Sequence, residues 1–104
     1  MNVNKVLSGL GLAMKAGAIA SGEFMTEKSI KEGLAKLVIV ADDASENTKK
    51  KFHNMCTYRN VPIVFISNKF DLGSAIGKEV RASMAITSQG LAEMIRKNLN
   101  LEVE

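Results

Sequence analysis

The chain has 104 residues, which suits one folded domain and is too short for two independent hydrophobic cores. With 46% hydrophobic and 24% charged residues, its composition excludes a disordered or low-complexity chain. Fourteen Lys and Arg against eleven Asp and Glu give a net charge of +3, which tolerates a polyanion if the positive charges share a face. The single cysteine, Cys56, cannot form an internal disulfide, and no apolar run is long enough to span a membrane. We therefore expect one cytoplasmic domain, 1–104, with no membrane contact.

The first third of the chain predicts helix, strand and helix. Apolar residues at helical spacing over 3–14 predict a first helix, with Asn2 as its cap and Gly17 as its stop. The small apolar residues 18–21 predict a short strand. A second helix is expected over 22–33, and its inward face is expected to consist of Thr26, Ile30 and Leu34.

The middle of the chain predicts two buried strands around a third helix. The β-branched run 37–41 predicts a central strand. Ser45 is a suitable cap for a helix that stops near Asn60, before the single proline. The expected inner face of that helix consists of Thr48, Phe52, Met55 and Cys56. Residues 63–66 predict the next buried strand.

The last third continues the alternation of helix and strand. A short helix is expected within 68–77, ended by one of its glycines, followed by a strand over 82–86. A final helix is marked by Leu91, Met94, Ile95 and Leu99. Short connections between alternating elements predict an α/β fold, a three-layer α-β-α sandwich with a mixed sheet of about four strands.

Enzyme-like residue patterns are few. His53 and Cys56 lie on one predicted helix, but no second ligand pair completes a tetrahedral site, so no metal and no cofactor are expected. Asp42 and Asp43 follow a buried strand, where two carboxylates suit magnesium or phosphoryl transfer. The favoured interpretation is that they stabilise the N-terminus of the next helix. We therefore expect no enzymatic activity.

Basic residues form a more informative pattern. Phe24, Lys28 and Lys31 are four and three residues apart, so they share one face of the second helix. Gly22 opens that helix, and its missing side chain lets a phosphate or base approach the free amides of a positive helix end. Lys78 and Arg81 bracket Val80 in the loop before the last strand. If the two places are adjacent, they suit nucleic acid.

Three segments together resemble a known family: EGLAKLVIVADD, NVPIVFISNKFDLGSAIGKEV and ASENTKKK. The chain is similar to the kink-turn RNA-binding ribosomal-protein superfamily of the L-seven-Ae type, and within it to the bacterial YlxQ-like branch. The resemblance covers nearly the whole chain. It implies an α-β-α sandwich that grips sharply bent RNA with the N-terminus of the second helix and the loop before the last strand.

The resemblance also implies roles for residues in the second-helix motif, Gly-x-Asn-Glu-x-x-Lys. Gly22 and Lys28 match that motif. Phe24 and Met25 stand where the family has the Asn and Glu that read the edges of sheared G·A pairs. With this departure, direct base readout is expected only if Glu23 provides it after a small shift of register.

The loop motif of the family aligns with residues 78–81. Lys78 and Arg81 are basic there and favour contact with phosphate. Val80 is expected to pack against an extruded base, and Lys69 is a further phosphate candidate by analogy with the family. The complete set of expected RNA-binding residues is Gly22, Glu23, Phe24, Met25, Lys28, Lys31, Lys69, Lys78, Glu79, Val80 and Arg81.

The resulting hypothesis is an RNA-binding protein that recognises a bent, kink-turn-like RNA element and is associated with the ribosome. The expected partner is structured RNA, for instance ribosomal RNA, and a monomer is expected. One alternative is a protein-interaction module of the same fold that has lost RNA readout at Phe24 and Met25. A second, weaker alternative is a phosphotransfer domain centred on Asp42 and Asp43.

Overall fold

Helices and short strands alternate along residues 2–99, the part of the chain that the computed structural model describes. Residue 1 and residues 100–104, which the predicted domain includes, lie outside the described residues. In chain order the elements are α1 (Val3–Lys15), β1 (Ile19–Ser21), α2 (Glu23–Lys31), β2 (Leu37–Val40), α3 (Glu46–Arg59), β3 (Ile63–Phe65), α4 (Lys69–Ala75), β4 (Ser83–Ile86) and α5 (Gln89–Leu99).

Polar side chains fix where the helices begin. Asn2 Oδ1 accepts a hydrogen bond from the Lys5 amide at 3.1 Å, and Ser45 Oγ accepts one from the Thr48 amide at 3.1 Å. Each bond satisfies an amide that has no partner inside its helix. α3 ends at Asn60, whose φ of 58° is the left-handed conformation typical of a helix stop. Both caps that the sequence predicts are confirmed.

The sheet is mixed and has the strand order β1-β4-β2-β3. β4 pairs antiparallel with β1 and β2, whereas β2 and β3 are parallel. Every residue of β2 and β4 is buried, because helices cover both faces of the sheet centre. The prediction of a buried strand at 63–66 is confirmed only for Ile66, because β3 itself lies at the sheet edge and is half-buried.

The helices form two layers around this sheet, and the predicted three-layer sandwich is confirmed. α2 and α3 pack together on one face, while α1 packs against α4 and α5 on the other. Phe52 is the largest fully buried side chain and lies on the inner face of α3, as the sequence predicts. Leu34 was expected to point inward but is 50% exposed, because α2 has already ended at Lys31.

Candidate nucleic-acid interface

The N-terminus of α2 and the loop before β4 form one continuous edge of the molecule. The Gly22 amide donates a hydrogen bond to the Ser83 carbonyl at 2.9 Å, which fixes the start of α2 beside the start of β4. Nε of Arg81 donates to the Ser21 hydroxyl at 3.3 Å, which connects the loop to the residue before Gly22. The two places that the sequence indicates separately are therefore adjacent in the folded chain.

Gly22 gives this edge an uncovered backbone. Its φ of 93° and ψ of 163° lie in a region that is essentially restricted to glycine. A Cβ at this position would have open space around it, so the backbone faces outward. α2 has no side-chain cap, and its first-turn amides point out of a helix end that carries partial positive charge. An anion can approach these amides directly.

The loop over 76–82 is held in place by α4. The Arg81 amide donates to the Lys69 carbonyl at 3.0 Å, and the Lys78 amide donates to the Gly73 carbonyl at 2.8 Å. Nη1 of Arg81 donates to the Val80 carbonyl at 2.7 Å. These bonds fix the path of the loop backbone, so its cations and the Val80 side chain are presented from a defined position.

The candidate residues on this edge combine positive charge with exposed apolar surface. Phe24 is 75% exposed and Val80 39% exposed, so both offer apolar surface at this edge. Met25 and the cation Lys28 are also exposed, on the first turns of α2. Lys78 and Glu79 are exposed as well, whereas Lys69 and Arg81 are half-buried.

Two of the candidate residues are engaged in ion pairs. Nζ of Lys51 on α3 lies 3.1 Å from the Glu23 carboxylate and also pairs with Glu27. Lys31 pairs with Glu27 at 3.1 Å and lies about 12 Å along the helix axis from Glu23. The hydrogen bond from Lys51, assisted by that from Lys31, holds the pKa of Glu27 below its usual value. Glu23 is thus directed toward α3, and Lys31 lies at the far end of α2.

Asp43 stabilises the start of α4 and not the expected start of α3, whereas Asp42 lies beside α3. Asp43 Oδ1 accepts a hydrogen bond from the amide of Lys69, the first residue of α4 rather than of α3. The Asp42 carboxylate is exposed and lies 3.9 Å from Lys49. Within residues 2–99, no group of three or more His, Cys, Asp or Glu side chains is placed to hold a metal ion.

Three contributors to this edge were missed at the sequence level. Ser21 receives the Arg81 hydrogen bond, Gly73 lets the loop approach α4, and Lys51 orients Glu23. Only Gly73 carried a local signal, because a glycine inside a helical pattern often marks a close backbone approach. Ser21 and Lys51 act across distant parts of the chain, and their partners follow from the fold alone.

The fold and this edge together define the class of protein. Residues 4–95 match the Ribosomal protein L7Ae/L30e/S12e/Gadd45 family, and the chain belongs to that family. It is 43% identical over 86 residues to the RNA-binding protein YlxQ of Bacillus subtilis (strain 168), covering 83% of this chain and 86% of the relative. It is 33% identical over 101 residues to the large ribosomal subunit protein eL8 of Thermoplasma volcanium, covering 96% and 84%. The resemblance inferred from the sequence is confirmed.

Solved structures agree with the family assignment. A protein of Bacillus halodurans C, described as having unknown function, superposes with a TM-score of 0.89 at 33% identity, covering 92% of this chain and 97% of that one. The 15.5kD RNA binding protein of Giardia lamblia superposes with a TM-score of 0.77 at 28% identity, covering 95% and 88%. Within the described residues, no helix combines the length and the apolar character needed to cross a bilayer.

Proposed function

We propose that the chain binds RNA at the edge formed by the start of α2 and the loop before β4, and that its target is a bent, kink-turn-like element. The observation that carries the proposal is the joining of these two segments by the Gly22–Ser83 and Arg81–Ser21 hydrogen bonds. Two relatives are themselves called RNA-binding proteins, and a third is a ribosomal protein, which supports a binding role in the cytoplasm at the ribosome.

Each part of the edge has a proposed role. The free amides after Gly22 receive a phosphate of the RNA backbone at the positive end of α2. Lys28 and Arg81 neutralise flanking phosphates, and Lys69 and Lys78 extend the positive surface along the loop. Because all of these groups recognise the backbone, they select the shape of the RNA before its sequence.

The apolar residues supply contacts to bases. Val80 packs against a base that the bend turns outward, and the exposed Phe24 ring stacks on another. Phe24 and Met25 lack the hydrogen-bonding groups that the family carries at these positions. Glu23 is paired with Lys51, and this pairing competes with a role in place of them. We therefore propose recognition by shape and stacking, with little readout of base edges.

The test compares a kink-turn RNA with a plain duplex of equal length, titrated by calorimetry at matched salt. The kink-turn RNA is expected to bind at least about tenfold more tightly, a difference of about 1.4 kcal/mol. Equal affinity for both RNAs would contradict the proposal of a bent target and would indicate RNA binding without preference for shape. No measurable binding of either RNA would reject the RNA-binding function itself.

The same exposed apolar residues support one alternative, a protein-interaction surface. Phe24 and Met25 are 75% and 43% exposed on neighbouring positions of α2, as expected for a protein contact. Under this alternative, Phe24→Ser weakens capture of a protein partner and leaves RNA affinity unchanged. Under the RNA proposal, the same change weakens kink-turn binding by about fivefold or more, the equivalent of one lost stacking contact.

A further inference from the structure

A second positively charged site lies at the opposite end of α2. A cavity of about 440 Å³ opens beside Ile30 and Gly33, where α2 ends. We call it the basic pocket, and define it by three cations and two polar residues, Lys36, Arg59, Arg96, Asn60 and Gln89. Its volume falls within the range of about 300 to 1,000 Å³ that ligand sites occupy.

Within residues 2–99, the three cations of the basic pocket have no carboxylate partner. Among the described residues that line it, none is acidic, and none of the ion pairs found within residues 2–99 involves Lys36, Arg59 or Arg96. The larger groove along α3, about 720 Å³, differs because its Lys49 is paired with Asp42 and Glu46. Like charges around one cavity repel each other until an anion neutralises them.

The ends of three helices border the pocket, with the negative ends of α2 and α3 and the positive end of α5. α5 begins at Gln89, so the positive end of its helix dipole lies at the cavity wall. Nη1 of Arg59 donates to the Lys31 carbonyl at 2.9 Å and thereby satisfies one carbonyl at the negative end of α2. The two guanidinium groups suit phosphate, which they bind in a forked geometry.

An exposed aromatic ring lies next to Arg59, one of the cations of the pocket, and indicates the kind of phosphate ligand. Tyr58 is 83% exposed, and the Arg59 guanidinium carbon lies 5.8 Å from the centre of its ring. Cations next to an exposed aromatic platform are the combination with which proteins hold single-stranded nucleic acid. A free phosphate would use the cations and leave the ring without a function.

We propose that the basic pocket binds the phosphate backbone of a single-stranded RNA segment, with one base stacked on Tyr58. The site lies about 12 Å along α2 from the proposed kink-turn edge and uses residues of α3 and α5 that the edge does not. It goes beyond the proposed function, since single-strand binding here does not depend on recognition of bent RNA. A chain with both sites holds two segments of RNA at once.

Tyr58 makes the proposal directly measurable. It is the only tyrosine in the sequence, which contains no tryptophan, so intrinsic fluorescence reports on this ring alone. Titration with a ten-nucleotide uridine oligomer at low salt is expected to quench the emission saturably. Tyr58→Ala is expected to lower the affinity for the oligomer by about fivefold or more, measured by fluorescence anisotropy of a labelled strand. Tyr58→Phe is expected to keep most of the wild-type affinity.

Charge variants separate this site from the edge. Replacing Lys36 and Arg96 with Gln is expected to lower the salt slope for the oligomer by about 1.4, since each lost phosphate contact of a single strand contributes about 0.7. The control replaces Lys15 and Lys97, two exposed cations outside the pocket, and is expected to change the slope little. Urea midpoints confirm that both double variants fold.

Three outcomes would overturn the proposal. The first is that the oligomer does not quench the Tyr58 emission. The second is that quenching depends on salt equally in the double variant of the pocket and in the double control variant. The third is binding of inorganic phosphate at Arg96, seen by chemical shift, without any effect of the oligomer on Tyr58. Quenching that is unchanged in Lys28→Gln while kink-turn binding is weakened supports the pocket and shows that the two sites respond independently.

Discussion

A Cβ atom at Gly73 would lie 2.6 Å from the carbonyl oxygen of Glu79, closer than the two atoms can approach. The loop before β4 therefore rests directly on the bare backbone of α4. The Lys78 amide bonds to the Gly73 carbonyl at the same point, 2.8 Å away. The position of the proposed RNA-contacting loop therefore depends on Gly73, a buried residue of α4.

Gly73→Ala is expected to displace the loop and to destabilise the fold by about 1 to 3 kcal/mol, the usual range for inserting a methyl group where there is no room. RNA affinity should fall as well, because Val80 and Arg81 move with the loop. The matched control is Gly90→Ala on α5, where a Cβ has nothing within 4 Å. The control should gain up to about 1 kcal/mol from helix propensity. Equal urea midpoints for the two variants would contradict the close approach.

Phe52→Ala is expected to lower the free energy of unfolding by about 3 to 5 kcal/mol, because it leaves a cavity in the centre of the core. Phe52 is fully buried between α3 and the sheet, whereas Phe70 on α4 is 62% exposed. Phe70→Ala removes the same ring from the surface and should change the urea midpoint little. A similar small effect for both variants would show that the inner face of α3 is misassigned.

Most of the fold was predictable because local patterns determine it. The run at 37–40 has no polar residue and is rich in β-branched side chains, which favours a strand buried on both faces. Asn2 and Ser45 predict helix starts through hydrogen bonds that span three residues. The burial of β3 was not predictable, because its place at the sheet edge depends on the strand order and not on its own residues.

The candidate site was predictable only in part. Gly22 and Lys28 were identified by motif and spacing, and the loop cations by composition. The bond between Arg81 and Ser21 connects residues 60 positions apart, and no local pattern contains it. The pairing of Glu23 with Lys51 depends on how α2 and α3 pack together. Sequence periodicity describes one element at a time and does not describe such contacts.

Stability is expected to fall in alkaline solution because of Cys56. Burial raises the pKa of this thiol to about 11 from an ordinary value of 9.0, so the folded chain keeps its proton over a range in which the unfolded chain loses it. The free energy of unfolding should therefore decrease as the pH rises from about 9 toward 11. Cys56→Ala lacks this contribution, and its urea midpoint should depend less on pH over that range. If the wild type and Cys56→Ala lose the same stability between about pH 9 and 11, groups other than Cys56 cause the loss.

Lys28→Gln is expected to weaken kink-turn binding and to reduce the slope of log affinity against log salt by about 0.7 to 0.9, the effect of one lost phosphate contact. The weakening should be similar for any RNA sequence of the same shape, because phosphates carry no base identity. Lys50→Gln, an exposed cation on α3, serves as the control. An unchanged slope in Lys28→Gln would show that Lys28 does not contact a phosphate.

Arg81→Gln should lower the affinity more than Lys28→Gln does, because it also loses the hydrogen bond to Ser21.

Gly22→Ala tests the uncovered backbone without changing any charge. With φ at 93°, an alanine is strained whatever space surrounds it, and the free energy of unfolding should fall by about 1 to 3 kcal/mol. The added methyl group also stands where an RNA phosphate would approach the first-turn amides of α2. Affinity should therefore fall while the salt slope stays at the wild-type value, whereas Lys28→Gln lowers both. Titrations at several salt concentrations, below the temperature at which the variant unfolds, separate the two effects. If Gly22→Ala binds kink-turn RNA like the wild type, the backbone at the start of α2 does not receive the RNA.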